Sequence, residues 1–150
     1  AMKAAAAAAA PFVVKIETSG GREVIPGGGQ RGGGGGVRKG TGPTTGTVVS
    51  ADGYVVTSSF NFANKPTDIF VTVPGRPRLV AKTVAHDTTR MLTLLKVDAA
   101  DLPVPTPFPK ADTRVGQWAL ALGRALDPEV GRLPSMSAGI VRATGRIYGK

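Results

Sequence analysis

Apolar and polar positions along this chain change over in short bursts, and nowhere after residue 11 do apolar residues recur at the three- and four-residue spacing of an amphipathic helix. Phe12-Val13-Val14-Lys15-Ile16-Glu17-Thr18 is rich in β-branched residues, and its later positions alternate apolar with polar, the pattern of a half-buried strand. Gly46-Thr47-Val48-Val49-Ser50 and Tyr54-Val55-Val56-Thr57 flank Ala51-Asp52-Gly53, which predicts a hairpin closed by Asp-Gly. Further strands are expected over residues 69–73, 79–84, 91–97, 118–122 and 138–142, each bounded by Gly, Pro, Asp or Asn. Short strands at this rhythm predict an all-β antiparallel sandwich or barrel. The one strong helix former is the alanine run Ala4 to Ala10, ended by Pro11.

Two stretches cannot be strands. Residues 20–42 hold most of the glycines, with Gly27-Gly28-Gly29 and Gly32 through Gly36, and offer almost nothing apolar to bury, so a long mobile loop is expected. Leu102 to Pro109 carries four prolines in eight residues, a stiff extended crossing that cannot take part in the middle of a sheet. The chain therefore divides into an alanine-rich segment (1–10), a first β unit (11–101) containing the glycine loop, a proline-rich crossing (102–110) and the start of a second β unit (111–150).

Composition narrows the chemistry. A chain of 150 residues with 41% hydrophobic content is long enough for one domain with a core. It has no cysteine and a single histidine, so thiolate chemistry, disulfides and sites built on clustered Cys or His are not expected, and no metal or cofactor is implied. Nineteen Lys and Arg against ten Asp and Glu give a formal charge of +9, which favours acidic partners in general. The basic residues are scattered and lack interleaved aromatics, so the expectation is a diffusely basic surface with no specific nucleic-acid site, and a basic polyanion-binding domain stands as one alternative function. No stretch reaches the roughly 18–20 apolar residues of a membrane-spanning helix, and no signal peptide is visible.

Several motifs are formal matches only. Gly27-x-Gly29-x-x-Gly32 fits the dinucleotide fingerprint but lacks the strand before it and the helix after it that would bring a phosphate to a helix end. In Lys39-Gly40-Thr41 the lysine precedes the glycine, the wrong order for a phosphate loop, and Arg31-Gly32-Gly33 is a single RGG unit without aromatics. His86 and Asp87 are adjacent, so in a strand their side chains diverge, and an exposed strand-end histidine is expected.

The hairpin and the segments after it are more specific. The run from Gly46 to Thr57, residues 81–87 with 92–97, and then Val115-Gly116-Gln117-Trp118-Ala119-Leu120-Ala121-Leu122-Gly123 and Ala138 to Arg146 resemble, in order, successive segments of the HtrA/Deg-type trypsin-like serine proteases. The resemblance runs from about Phe12 to Arg146. It implies a trypsin-like double β-barrel in which the N-terminal barrel is complete and the second barrel is only begun, with a cleft between the two. It also implies an extracytoplasmic location, in a periplasm or envelope.

Position by position, the histidine of the family pattern falls on Phe60, in Thr57-Ser58-Ser59-Phe60, and the aspartate falls on Met91, in Arg90-Met91-Leu92-Thr93. A serine hydroxyl attacks poorly until an imidazole takes its proton, and the aspartate holds that imidazole in the working tautomer; phenylalanine and methionine do neither. The Gly-Asn-Ser-Gly-Gly segment that bears the nucleophile in the family is not among these 150 residues. On this reasoning the chain is expected to be a catalytically inactive homologue, a pseudoprotease and not an enzyme, whose cleft the two apolar residues fill and which serves as a protein- or peptide-binding scaffold. The alternative is an active endopeptidase with catalytic residues supplied outside the chain. The expected partners are a polypeptide or the protein's own C-terminal segment completing the second barrel, with a homo-oligomer possible.

Overall fold

The computed structural model describes residues 1–20, 43–63, 65–127, 131 and 133–146; the glycine-rich loop, with the Gly27, Arg31 and Lys39 motifs, lies outside the described residues. Six antiparallel strands form a closed barrel: β1 (Val13–Ser19), β2 (Thr44–Val48), β3 (Tyr54–Ser58), β4 (Asp68–Thr72), β5 (Leu79–Asp87) and β6 (Leu92–Val97), in the spatial order β1-β2-β3-β6-β5-β4. Closure comes from β1, which pairs with β2 through Val13↔Thr47 to Ile16↔Thr44 and with β4 through Lys15↔Thr72 to Ser19↔Asp68. A closed sheet leaves no strand edge exposed to a second chain.

Strand alternation places the core. Val14 and Ile16 of β1, Val48, Val55, Val71, and Leu95 and Val97 of β6 are wholly buried and pack together with Phe62, Ile69, Val73, Ala81 and Leu102. Each such aliphatic side chain removed from water contributes about 1.5–3 kcal/mol. Gly46 sits opposite Val14, where a Cβ would come within 2.5 Å of Ile16 Cδ1 and 2.9 Å of Val55 Cγ1; the bare backbone is what admits those two side chains. Gly53, in the β2–β3 hairpin, adopts φ of +108°, and a Cβ there would run into the carbonyl of Val97, whose N–H donates to Gly53 O at 2.9 Å. The Asp-Gly turn thus also ties the hairpin to the end of β6.

After β6 the chain runs extended through the prolines, with Leu102 buried in the barrel core, to a second, two-stranded antiparallel sheet of β7 (Trp118–Gly123) and β8 (Ser135–Ile140). The last strand lies some three residues earlier than its composition predicts. Its register explains the shift: Ser135 pairs with Gly123 and Ile140 with Trp118, so the ladder recruits the polar Ser135-Met136-Ser137, and Val141 closes it by donating to Gln117 O and accepting from Gly116 N–H, each at 2.8 Å. The alanine run forms α1 (Met2–Ala9), followed by one 3₁₀ turn through Pro11 to Phe12.

Arg124, just after β7, is only 1% exposed. Its Nε donates to Val13 O (2.6 Å), one guanidinium nitrogen donates to Ala10 O (3.1 Å) and another to Asp127 Oδ2 (3.2 Å), while its backbone N–H donates to Thr45 Oγ1 (2.8 Å). A single side chain thereby fastens the β7–β8 connection to the entrance of β1, where Lys15 also donates to Asp127 O at 3.0 Å.

Candidate functional site

β3 ends at Ser58, whose extended backbone and hydroxyl, accepting from Phe60 N–H at 3.3 Å, cap a 3₁₀ turn over Ser59–Phe62. Phe62 is buried in the barrel and anchors the turn, so Phe60 faces outward and remains 46% exposed. At the same end of the barrel, β5 and β6 are joined by a turn that Asp87 holds: its carboxylate accepts from Arg90 N–H at 2.9 Å and from the Arg90 guanidinium at 2.7 Å. These hydrogen bonds from Arg90 hold the Asp87 carboxyl below the ordinary carboxylate range.

Met91 was expected to open β6. It instead takes a left-handed conformation with φ of +57° and closes the turn, so β6 begins at Leu92. Its carbonyl accepts a hydrogen bond from Ser59 N–H at 2.8 Å, which locks the two turns together and brings the residues flanking both candidate positions to one rim. Met91 is 55% exposed. Both Phe60 and Met91 stand at the surface, because Phe62 takes the inward place in its turn and the left-handed backbone keeps Met91 out of the strand.

Behind the rim lies a polar chain that the hydrophobic pattern did not signal. Thr93 is wholly buried, in the interior-facing series it shares with Leu95 and Val97, and its Oγ1 lies 3.0 Å from Ser59 Oγ and 2.9 Å from His86 Nδ1. His86 is the direct cross-strand neighbour of Thr93, after a bulge between Thr83 and Ala85 in β5. His86 and Asp87 do part company, as alternation requires: Asp87 turns to Arg90, and His86, although exposed, turns to Thr93. The signal that could have located this chain is register. Once β5 and β6 are paired through their common turn, His86 and Thr93 are a near-opposite pair, and β3–β6 pairing sets the end of β3 beside Leu92.

A closed six-stranded antiparallel barrel with a short 3₁₀ turn after β3 facing the β5–β6 turn, and an extended crossing into the opening strands of a second sheet, defines the trypsin-like protease fold. The chain belongs to the trypsin-like peptidase domain family, whose sequence pattern matches residues 44–150, and within it to the HtrA/Deg type. It is 37% identical over 102 residues to a probable periplasmic serine endoprotease DegP-like of Hahella chejuensis, a match covering 68% of this chain and 21% of that protein. The protein of the same name from Pseudomonas fluorescens is 35% identical over 102 residues, covering 68% of this chain and 20% of that protein. The chain thus spans about a fifth of the length of these relatives. Among solved structures, a variant of the HtrA-type protease AlgW with tripeptide superposes with a TM-score of 0.71 at 25% identity, covering 97% of this chain and 41% of the other. AlgW with tripeptide gives 0.73 at 24% identity over the same shares.

These likenesses bear out the expected family and the double-barrel fold class. They overturn the expectation that the protein is not an enzyme, since the relatives that it matches across this region are named serine endoproteases and its family is a peptidase domain. Those two side chains lie in a stretch that corresponds to about a fifth of the length of these relatives.

Proposed function

We propose that this protein is an HtrA/Deg-type serine endopeptidase acting on extended polypeptides in an extracytoplasmic compartment, and that the rim made by the Ser59–Phe62 turn and the β5–β6 turn is the part of its cleft that this chain supplies. The observation that carries the reading is the 2.8 Å bond from Ser59 N–H to Met91 O, which fixes the two turns side by side at one end of the barrel and leaves Phe60 and Met91 open to an incoming chain. Location follows from the relatives, which are named as periplasmic. The attacking hydroxyl comes from residues outside this chain. Cross-strand neighbours Trp118 and Ile140, 68% and 58% exposed, support the same picture, in which further polypeptide of the same protein continues the second sheet.

The apolar character of Phe60 and Met91 favours a holding role for the same rim, operating alongside hydrolysis. An extended polypeptide gains main-chain hydrogen bonds and places alternate side chains against apolar surface, so a ring and a thioether at the rim select for apolar residues. The test of the enzymatic reading is covalent labelling of the intact protein by a fluorophosphonate probe. Labelling of a serine, blocked by prior addition of an unfolded polypeptide, is expected. No labelling under conditions in which a DegP-like relative is labelled overturns it.

A further inference from the structure

The helix α1 has little of its own to hold it in place. Beyond Met2 and Lys3 it is all alanine, no side chain caps its N-terminus, its first turn has no acidic residue, its last has no basic one, and Ala6 is its one buried residue. A helix of eight residues is marginal in water even when made of alanine, so what holds this one comes from elsewhere in the fold. The barrel core does not supply it, since none of the residues in that cluster lies in α1, β7 or β8.

Two sets of contacts do, and both lead to β7. Ala1, Met2 and Ala5 share an apolar groove with Trp118 and Leu120, which stand on one face of the second sheet with their cross-strand partners Ile140 and Ala138. At the other end of the helix, Ala10 O accepts both from Val13 N–H and, at 3.1 Å, from the guanidinium of Arg124, the residue after β7. Arg124 Nε spans the same 3₁₀ turn to reach Val13 O at 2.6 Å. A cation is favoured there, at the negative end of the helix dipole, and this one is only 1% exposed, so solvent screens it little. Arg124 is in turn held from the other side, its side chain by Asp127 Oδ2 at 3.2 Å and its N–H by Thr45 Oγ1 at 2.8 Å.

We propose that α1 is a strap of the second sheet, capped at its C-terminal end by Arg124, and that α1 and β7 seat and release as one unit while the barrel stays closed. The barrel keeps its core and its ring of six strands whether the strap is seated or not, because neither draws on α1 or β7. Elements with few contacts to a core open at lower free energy than the core itself. Seating covers the Trp118 and Leu120 end of the apolar sheet face and satisfies the Arg124 guanidinium; release undoes both together, because the groove and the cap are the two ends of one short helix. By linkage, whatever binds or pulls on the segment before β1 shifts the second sheet, and whatever seats the sheet orders that segment. The strap holds independently of the endopeptidase reading.

The test is native-state hydrogen–deuterium exchange of the intact protein, read as protection factors in wild type, Ala7→Gly and Arg124→Met. Ala7 is exposed, so glycine there removes no packing and acts only by weakening the helix. In wild type, the amides of residues 5–9 and those of Trp118–Gly123 are expected to share one protection factor within about threefold, at least about tenfold below that of Leu95 and Val97 in β6. Ala7→Gly is expected to lower protection about fivefold in α1 and by the same factor in Trp118–Gly123, although no residue of β7 has been touched. Arg124→Met is expected to lower both at least about tenfold. Protection that falls in α1 alone in Ala7→Gly overturns the strap, and so does wild-type protection of Trp118–Gly123 equal to that of β6. Unchanged protection of α1 in Arg124→Met overturns the cap. Ala7→Gly leaves every contact of Arg124 in place, is expected to fold, and decides the matter even if Arg124→Met does not fold.

Discussion

At the scale of single residues, the most deeply buried charge among the described residues is one that no sequence pattern singled out. Arg124 is inside the structure with its charge matched by Asp127 and two further N–H groups donating to the carbonyls of Val13 and Ala10. Hydrophobic patterning assigns Arg to the surface, and only the placing of β7 against the entrance of β1 creates a polar interior for it. Truncating one partner of a buried pair leaves the other charge uncompensated, so Asp127→Ala is expected to destabilise the protein by about 3 kcal/mol, read as a lower urea midpoint at unchanged slope. Replacing the cation itself, Arg124→Met, strands the Asp127 carboxylate and also takes the donor from Val13 O and Ala10 O, so it is expected to cost at least as much. A smaller loss in Arg124→Met than in Asp127→Ala would show that the carbonyl contacts contribute little. Phe60 and Met91 were legible as the residues at two family positions, but not their exposure, which depends on Phe62 taking the inward place and on the left-handed backbone at Met91.

Among the elements, strands were readable wherever β-branched alternation and turn residues coincide: the β2–β3 hairpin with its Asp-Gly turn, and β4, fall within a residue or two of where the pattern puts them. β6 starts one residue later than expected because Met91 belongs to the turn. β8 slides three residues upstream, because ladder pairing with β7 outweighs the preference of Ser for loops. The polar chain behind the rim was not legible for the same reason: Ser59, Thr93 and His86 are 34 and 7 residues apart in pairs, and only register unites them.

The β5–β6 turn that supports the rim has a pH dependence whose sign is fixed by Asp87. Its carboxyl is held below its ordinary value by the hydrogen bonds from Arg90, so the folded state favours the ionised form. The contribution is present above the unfolded value near 3.8 and is lost as pH falls through the lower folded value. Asp87→Asn is accordingly expected to lower the melting temperature slightly at neutral pH and to flatten the fall of melting temperature below pH ~4, the region where a free aspartate titrates. A wild-type and variant curve that stay parallel through that region would show that the turn does not depend on the charge of Asp87.

On the scale of the whole molecule, some of the cations behind the formal charge of +9 also brace the fold while keeping their charge. Several cations are spent internally: Lys15 donates to Asp127 O, Arg76 to the carbonyls of Ala100 and Asp101, and Lys96 to those of Asp52 and Val97. Arg78 lies over the Phe70 ring at 3.8 Å and near Glu17. The fold class, by contrast, was visible because closure of the barrel depends on the order and spacing of many strands, information that is spread through the sequence and survives the loss of individual side chains.

The claim on which the account turns is that an extended polypeptide seats on the rim formed by the Ser59–Phe62 and β5–β6 turns. Hydrogen–deuterium exchange of the intact protein, with and without a saturating unfolded peptide rich in apolar residues, tests it directly. Slowed exchange confined to residues 59–62 and 90–92, with the outer wall around Val80 unaffected, is the predicted result. Protection at Val80 or along β7 and β8, with none at the rim, would contradict it.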